Sequence, residues 1–146
     1  MGDRITQRYW EDVGEGDELS PVVYNLNSTS FVAGVSGGQD WNLIHHDREE
    51  TQKRGYPDIF VHTNQQQGMF SHLLMDYIGD EGWLKKFGVQ FRRMNHLGTT
   101  VTLKGKVVKK YTQDGEHLVD LEVWAENSKE GISSPGTATV RLPSRG

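Results

Sequence analysis

The sequence contains no cysteine. Disulfides, thiolate nucleophiles and cysteine-ligated zinc are therefore excluded. No run approaches the roughly 18 apolar residues of a membrane-spanning helix. The opening MGDRITQRYWEDV has no apolar core of signal-peptide length, so a cytoplasmic location is the expectation. A basic surplus is also missing: Lys and Arg number 16 against 20 Asp and Glu, a net charge of −4. That balance argues against a general nucleic-acid binder. There is no linker, repeat or low-complexity tract. What is present is 146 residues, 34% of them apolar, enough to build one core. A single domain over 1–146 is expected.

Apolar periodicity divides the chain into two styles. Val22 to Leu26 reads as a strand. Ser28 or Ser30 is placed to cap a short helix through Phe31, Val32 and Val35, which Gly37-Gly38 would end. Asp47, with Glu50 three residues on, resembles a capping box, so a second helix should start near Arg48 and stop at Gly55. A longer helix is expected over about 64–78, where Met69, Phe70, Leu73, Leu74, Tyr77 and Ile78 repeat at helical spacing before Gly79. Beyond it apolar residues alternate, at Phe87/Val89/Phe91, Val101/Leu103/Val107, Val119/Leu121/Val123/Ala125 and Ala138/Val140/Leu142. Gln113–Glu116 and Asn127–Gly131 carry turn chemistry. One strand and a long helix followed by a meander indicate α+β, with an antiparallel sheet on the apolar helix. So long a sheet leaves a face that the chain's other helices do not fill, so an oligomer is expected.

The stretch GGQDWNLIHHD, Gly37 to Asp47, concentrates the chemistry. Asp40 and His45 are five residues apart, which in a regular helix sets them roughly 140° apart. They converge only if the chain bends between them. The preceding glycines and Asn42, an Asx-turn former, make a bend plausible. An Asp and a His aimed at one point could hold a water, one group taking its proton and the other protonating a substrate. Ordinary readings compete. Asp and Asn before a helix are common caps, and Asp47 reads as one. Adjacent His45 and His46 are common in surface loops. A metal site is disfavoured, because His45, His46 and Asp47 are consecutive and no HExxH-like spacing occurs.

At these residues the chain resembles the MaoC-like hydratase/dehydratase family, which includes R-specific enoyl-CoA hydratases. That family carries Asp-x-Asn-Pro-(aliphatic)-His. Asp40-Trp41-Asn42-Leu43-Ile44-His45 matches at Asp, Asn, aliphatic and His. Tyr9–Val13 through Gly16–Leu19, Asp58–Val61 and Phe91–Arg93 through Leu97–Thr99 resemble flanking segments of the family. The resemblance implies the hot-dog fold, an antiparallel sheet wrapped around one long helix. It implies reversible hydration of an enoyl thioester, with CoA or acyl-carrier protein as carrier and no metal or redox cofactor. Asp40 and His45 would be the catalytic dyad, and Asn42 would shape the loop. A backbone N–H of Thr63 or Asn64, at the start of the long helix, would hold the thioester oxygen. A homodimer, or a heterodimer with a second hot-dog subunit, is implied. Leu43 departs from the motif proline, Gln39 from the usual Gly before the Asp, and His62-Thr63 from a common His-Gly.

Other residues carry weaker signals. Arg92 and Arg93, read as ending the strand from Phe87, could meet CoA phosphates. Lys104, Lys106, Lys109 and Lys110 read as a solvated face or protected edge. Gln65-Gln66-Gln67 could line an acyl pocket or face a neighbouring subunit. Two other activities remain: a non-catalytic hot-dog subunit, against which the retained Asp40 and His45 speak, and a thioesterase. The thioesterase reading wants a carboxylate on the long helix facing the thioester, where only Asp76 near its end is offered.

Overall fold

The structure is a computed structural model that describes residues 6–146. Residues 1–5, which open the segment read above as lacking a signal-peptide core, lie outside the described residues. After a 3-10 turn at Trp10–Asp12 come β1 (Val22–Asn25), α1 (Ser28–Gly38), a 3-10 turn at Leu43–His45, α2 (Arg48–Lys53) and α3 (Thr63–Ile78). Then follow β2 (Trp83–Val89), β3 (Thr100–Gln113), β4 (Glu116–Asn127) and β5 (Gly131–Arg141). The five strands form one antiparallel sheet in the order β1-β3-β4-β5-β2.

Alternation decides which side of the sheet is the core. On β4 Val119, Leu121, Val123 and Ala125 are buried while Glu122 between them is exposed. On β3 Val101, Leu103 and Val107 face the same way. Lys104 and Lys106 point outward and pair with Glu126 at 2.7 Å and Glu122 at 3.0 Å on β4. β1 covers only Thr100–Leu103 of β3, so these lysines lie on a solvated stretch beyond it, whose edge is protected by the Glu18–Lys106 bridge and by the Leu19 amide on the Gly105 carbonyl. Asp114 (φ 53°) and Gly115 (φ 78°) make the two-residue β3–β4 turn, both left-handed as a type I′ hairpin requires.

Helix α3 lies across the core side of the sheet. Phe70, Leu74 and Ile78 are fully buried with Met69, Leu73 and Tyr77, and the Phe70 ring sits 5.5 Å from Phe87. Gly79 (φ 68°) ends the helix. A sheet on one long helix is the hot-dog arrangement that the sequence resemblance implies.

Several boundaries moved. The cap of α1 is Asn27, not Ser28 or Ser30: its Oδ1 accepts from the Ser30 amide while the Ser30 hydroxyl accepts from the Asn27 amide. Helix α2 stops at Lys53, with Arg54 as its cap and Gly55 (φ 90°) beyond. Strand β2 ends at Val89, so Arg92 and Arg93 follow the strand rather than end it. The reason lies in Pro135, whose carbonyl accepts from the Gln90 amide. Proline has no N–H to return, so reciprocal pairing ends there, and the Arg92 and Arg93 amides beyond it both donate to the one Ser133 carbonyl at 3.0 and 3.1 Å.

Candidate active site

Helix α1 delivers the motif. Its Gly34 and Gly38, one turn apart, face the start of α3. A Cβ at Gly38 would fall 2.6 Å from the His62 ring, and one at Gly34 would overlap the Gln65 amide. The helix approaches this closely only because both positions lack side chains. Its C-cap is Gln39 in the left-handed region (φ 53°), a conformation costly for a non-glycine residue. The Gln39 side-chain amide donates to the Ser36 carbonyl, satisfying an otherwise open helix end.

The bend follows at once. The Asp40 carboxylate accepts from the Asn42 amide at 3.3 Å, an Asx turn. Asn42 in turn caps the 3-10 turn at Leu43–His45, its Oδ1 accepting from the Ile44 amide at 3.4 Å. Asp47 caps α2 by accepting from the Glu50 amide at 2.9 Å. Thr51, fully buried, donates its hydroxyl to the Asp47 carbonyl at 2.6 Å and ties α2 to the motif. His46 is exposed, and its ring meets Trp41 edge-on.

This local folding brings Asp40 and His45 together: Oδ2 of Asp40 is 3.6 Å from Nε2 of His45. His45 is 6% exposed, whereas the Asp40 side chain is 37% exposed. The Nδ1 of His45 lies 2.7 Å from the Phe60 carbonyl. A carbonyl only accepts, so Nδ1 carries the hydrogen and, in the neutral ring, Nε2 offers a lone pair. That lone pair faces a carboxylate, also an acceptor, at a distance too long for a direct hydrogen bond. Two acceptors cannot satisfy each other; one water can donate to both.

The segment that presents the Phe60 carbonyl is fixed from two sides. Phe60 bridges His96, and the Val61 amide donates to the Asn95 carbonyl at 3.0 Å. Asp58 accepts a two-pronged bond from Arg48, at 3.0 and 2.8 Å, and one from the Ile59 amide at 2.8 Å. Partial burial pushes the Asp58 carboxyl up, but these bonds outweigh it and hold its pKa below the usual value.

Beside the pair stands the start of α3. His62, its cap, accepts the Gln65 amide on Nδ1 at 3.2 Å. The amides of Thr63 and Asn64 have no acceptor among the described residues, as the first turn of any helix leaves them. Both residues are exposed. Unpaired N–H groups at the positive end of a helix favour a developing negative charge.

The remaining sequence candidates are placed as follows. Arg92 turns its fork onto the Gln90 side chain at 3.1 and 2.7 Å, and Arg93 bonds the Glu130 carbonyl at 2.9 Å. Gln65 and Gln66 are engaged within the chain. Gln65 donates to the Ser30 carbonyl, and Gln66 is buried. The Gln66 amide oxygen accepts from Asn95 at 2.9 Å and Ser134 at 3.2 Å, and Asn127 donates onward to Asn95 and Thr99 at 3.0 Å each. Sequence reasoning missed this buried chain of amides, and also the Phe60 carbonyl. Among the described residues no group of three or more His, Asp or Glu is placed to hold a metal ion.

A hollow of about 650 Å³ lies on the outer face of the sheet between Gly88, Arg92, Trp124 and Gly136. Asp40 and His45 line none of the five principal hollows among the described residues. Access to the pair is from the Asp40 side, since His45 is buried while Asp40 is partly exposed.

No protein-family model matches the sequence. A curated Mycobacterium tuberculosis protein, the 3-oxo-4,17-pregnadiene-20-carboxyl-CoA hydratase beta subunit, is 27% identical over 117 residues, 80% of this chain and 85% of that protein. Among solved structures, R-hydratase PhaJ1 from Pseudomonas aeruginosa superposes with a TM-score of 0.84 at 14% identity, over 94% of this chain and 86% of that one. MaoC-like dehydratases superpose as well. The fold is that of the MaoC-like hydratases and dehydratases. Another hot-dog neighbour is the ChsH1–ChsH2 complex from Mycobacterium tuberculosis, with a TM-score of 0.78 at 24% identity, covering 88% of this chain and 98% of the matched chain. No helix of the described hot-dog chain is long and apolar enough to cross a membrane.

Proposed function

We propose that this protein adds water reversibly to the double bond of an enoyl thioester, giving a 3-hydroxyacyl thioester. The observation that carries the reading is the Asp40–His45 pair: two acceptors 3.6 Å apart, with the histidine tautomer set by the Phe60 carbonyl. The pair holds one water over the β-carbon. As the water oxygen bonds to that carbon, the double-bond electrons move toward the thioester oxygen as an enolate. The amide of Thr63 or Asn64 faces that oxygen and stabilises its charge, a contribution of about 3 kcal/mol for one such donor in other enzymes. The proton that the water loses passes to the pair and from it to the α-carbon, so all atoms of the water end on the product. Asn42 keeps the pair aimed by capping the turn between its members.

CoA, or an acyl-carrier protein, enters as part of the substrate, and the steps use no metal or redox group. Arg92 and Arg93 are candidates for its phosphates. For Arg92 this requires its fork to leave Gln90, which makes it the weaker part of the assignment.

A second hot-dog subunit completes the site. The pair is reached from the partly exposed Asp40 side and lines none of the main hollows among the described residues, so the acyl group needs another wall. The relative from Mycobacterium tuberculosis is a beta subunit, which supports a heteromer beside the homodimer. The same observation favours a second reading, a subunit that shapes its partner's pocket without doing chemistry.

The test is a hydration assay on the purified protein with crotonyl-CoA and a ring-bearing enoyl-CoA. Loss of the conjugated-thioester absorbance and release of free CoA are followed together. Hydration without CoA release is expected. CoA release alone would mean a thioesterase. Activity that appears only with a second subunit, and survives Asp40→Asn in this chain, would establish the non-catalytic reading.

A further inference from the structure

His62 is 3% exposed and uses both ring nitrogens. Nδ1 accepts the Gln65 amide, which caps α3. Nε2 lies 2.9 Å from the Gly34 carbonyl, so it carries the hydrogen and donates to α1. Capping alone explains only the first bond, since Asn, Asp or Ser would cap as well or better. The second bond joins two elements that each bear part of the proposed chemistry. Helix α1 ends at Gly38, two residues before Asp40, and the His62 ring fills the space beside Gly38 that a side chain there would take. Helix α3 begins at Thr63, the next residue after His62. The His62 ring is also 5.5 Å from the His45 ring. A parallel tie, from Gln65 to the Ser30 carbonyl at 2.9 Å, runs one turn further along both helices.

We infer that His62 is a positioning residue, which sets the Asp40–His45 pair at a fixed distance from the Thr63 and Asn64 amides. The inference rests on the hydratase reading for its consequence in rate. Water must be held by one element and the thioester oxygen by the other, and an error of about 1 Å between them can lower the rate about 100-fold.

The test separates the two nitrogens. In His62→Asn the shorter amide reaches as far as Nδ1 and keeps the cap but loses the tie to Gly34. In His62→Gln the longer amide reaches as far as Nε2 and keeps the tie but caps poorly. His62→Asn should melt close to the unsubstituted protein, with kcat for enoyl-CoA hydration down roughly 10- to 100-fold and KM within about threefold. His62→Gln should melt lower and keep kcat within about threefold. Amide hydrogen exchange over residues 34–45 should be at least about tenfold faster in His62→Asn, with the β3 and β4 amides unchanged. Retained kcat in His62→Asn overturns the inference whatever exchange shows. Unchanged exchange over 34–45 overturns it even if the unsubstituted protein hydrates nothing, a result that would separately overturn the hydratase reading.

Discussion

Among the described residues His and Asp side chains pair at two places, and the closer pair is the poorer candidate for chemistry. His72 and Asp76 approach to 3.1 Å, against 3.6 Å for His45 and Asp40. The first pair is an i,i+4 contact on the exposed side of α3, with both side chains about half exposed. Nε2 of His72 bonds Asp76, and Nδ1 takes the hydroxyl of Tyr24 at 2.5 Å, so neither nitrogen is left for a substrate or water. The second pair spans a bend, is half sheltered, and sets a lone pair and a carboxylate, two acceptors that cannot satisfy each other, face to face. Proximity alone therefore does not select a catalytic pair. What selects it is an unmet need of both groups that one small molecule can meet.

The largest expected effect breaks the comparison directly. Asp40→Asn and His45→Ala should each lower kcat for hydration by about 10²- to 10⁴-fold. His72→Ala and Asp76→Asn should leave kcat within about twofold. A steady-state assay of the four variants checks this, and equal losses in both pairs would remove the distinction.

A second variant sharpens what holds the buried pair. Asp58→Asn loosens the segment that presents the Phe60 carbonyl to His45. The Asp58 pKa is depressed in the folded state, so its contribution to stability is present above the ordinary carboxylate range. That contribution fades as pH falls below about 4, through the depressed value. Thermal melts should show Asp58→Asn less stable at pH 7, with the gap closing in acid. A gap independent of pH would mean the charge is not what matters.

The exposed pair should contribute little to stability either. His72→Ala is expected to lower unfolding free energy by no more than about 1 kcal/mol in denaturant titration. Smallest of all is Leu43→Pro. Leu43 is the first residue of its turn, where a missing N–H costs nothing, and Asn42 before it is extended (ψ 127°), as a pre-proline residue should be. Stability should rise by at most about 1 kcal/mol with hydration unchanged. A clear loss would show that the Leu43 side chain, 38% exposed at this surface, has a role of its own.

The sequence reading reached the sheet, the long helix and the approach of Asp40 to His45 because each leaves a local signature. Alternation at period two, a helical stripe from Met69 to Ile78, and a short motif can all be read within one window. The bend between Asp40 and His45 was legible from Asn42, but its sharpest point is Gln39, a residue that gives no hint of a left-handed backbone. The Phe60 carbonyl was beyond reach, because any residue supplies a carbonyl and the contact spans 15 residues. Gln66, Asn95 and Asn127 look like surface amides one at a time; only tertiary packing buries them together. Arg92 and Arg93 were carried onto a strand because Phe91 continues the alternation, while Pro135 on the neighbouring strand ends reciprocal pairing and leaves both amides on the Ser133 carbonyl. The double use of His62 needed both helices in place.

The central claim is that Asp40 and His45 act on one water. The most direct measurement is kcat for enoyl-CoA hydration in Asp40→Asn, His45→Ala and the double variant. Groups that serve a single event are not additive, so the double variant should lose about as much as the worse single one. If the two losses multiply, or if Asp40→Asn keeps full activity, the pair does not share a water and the account is wrong.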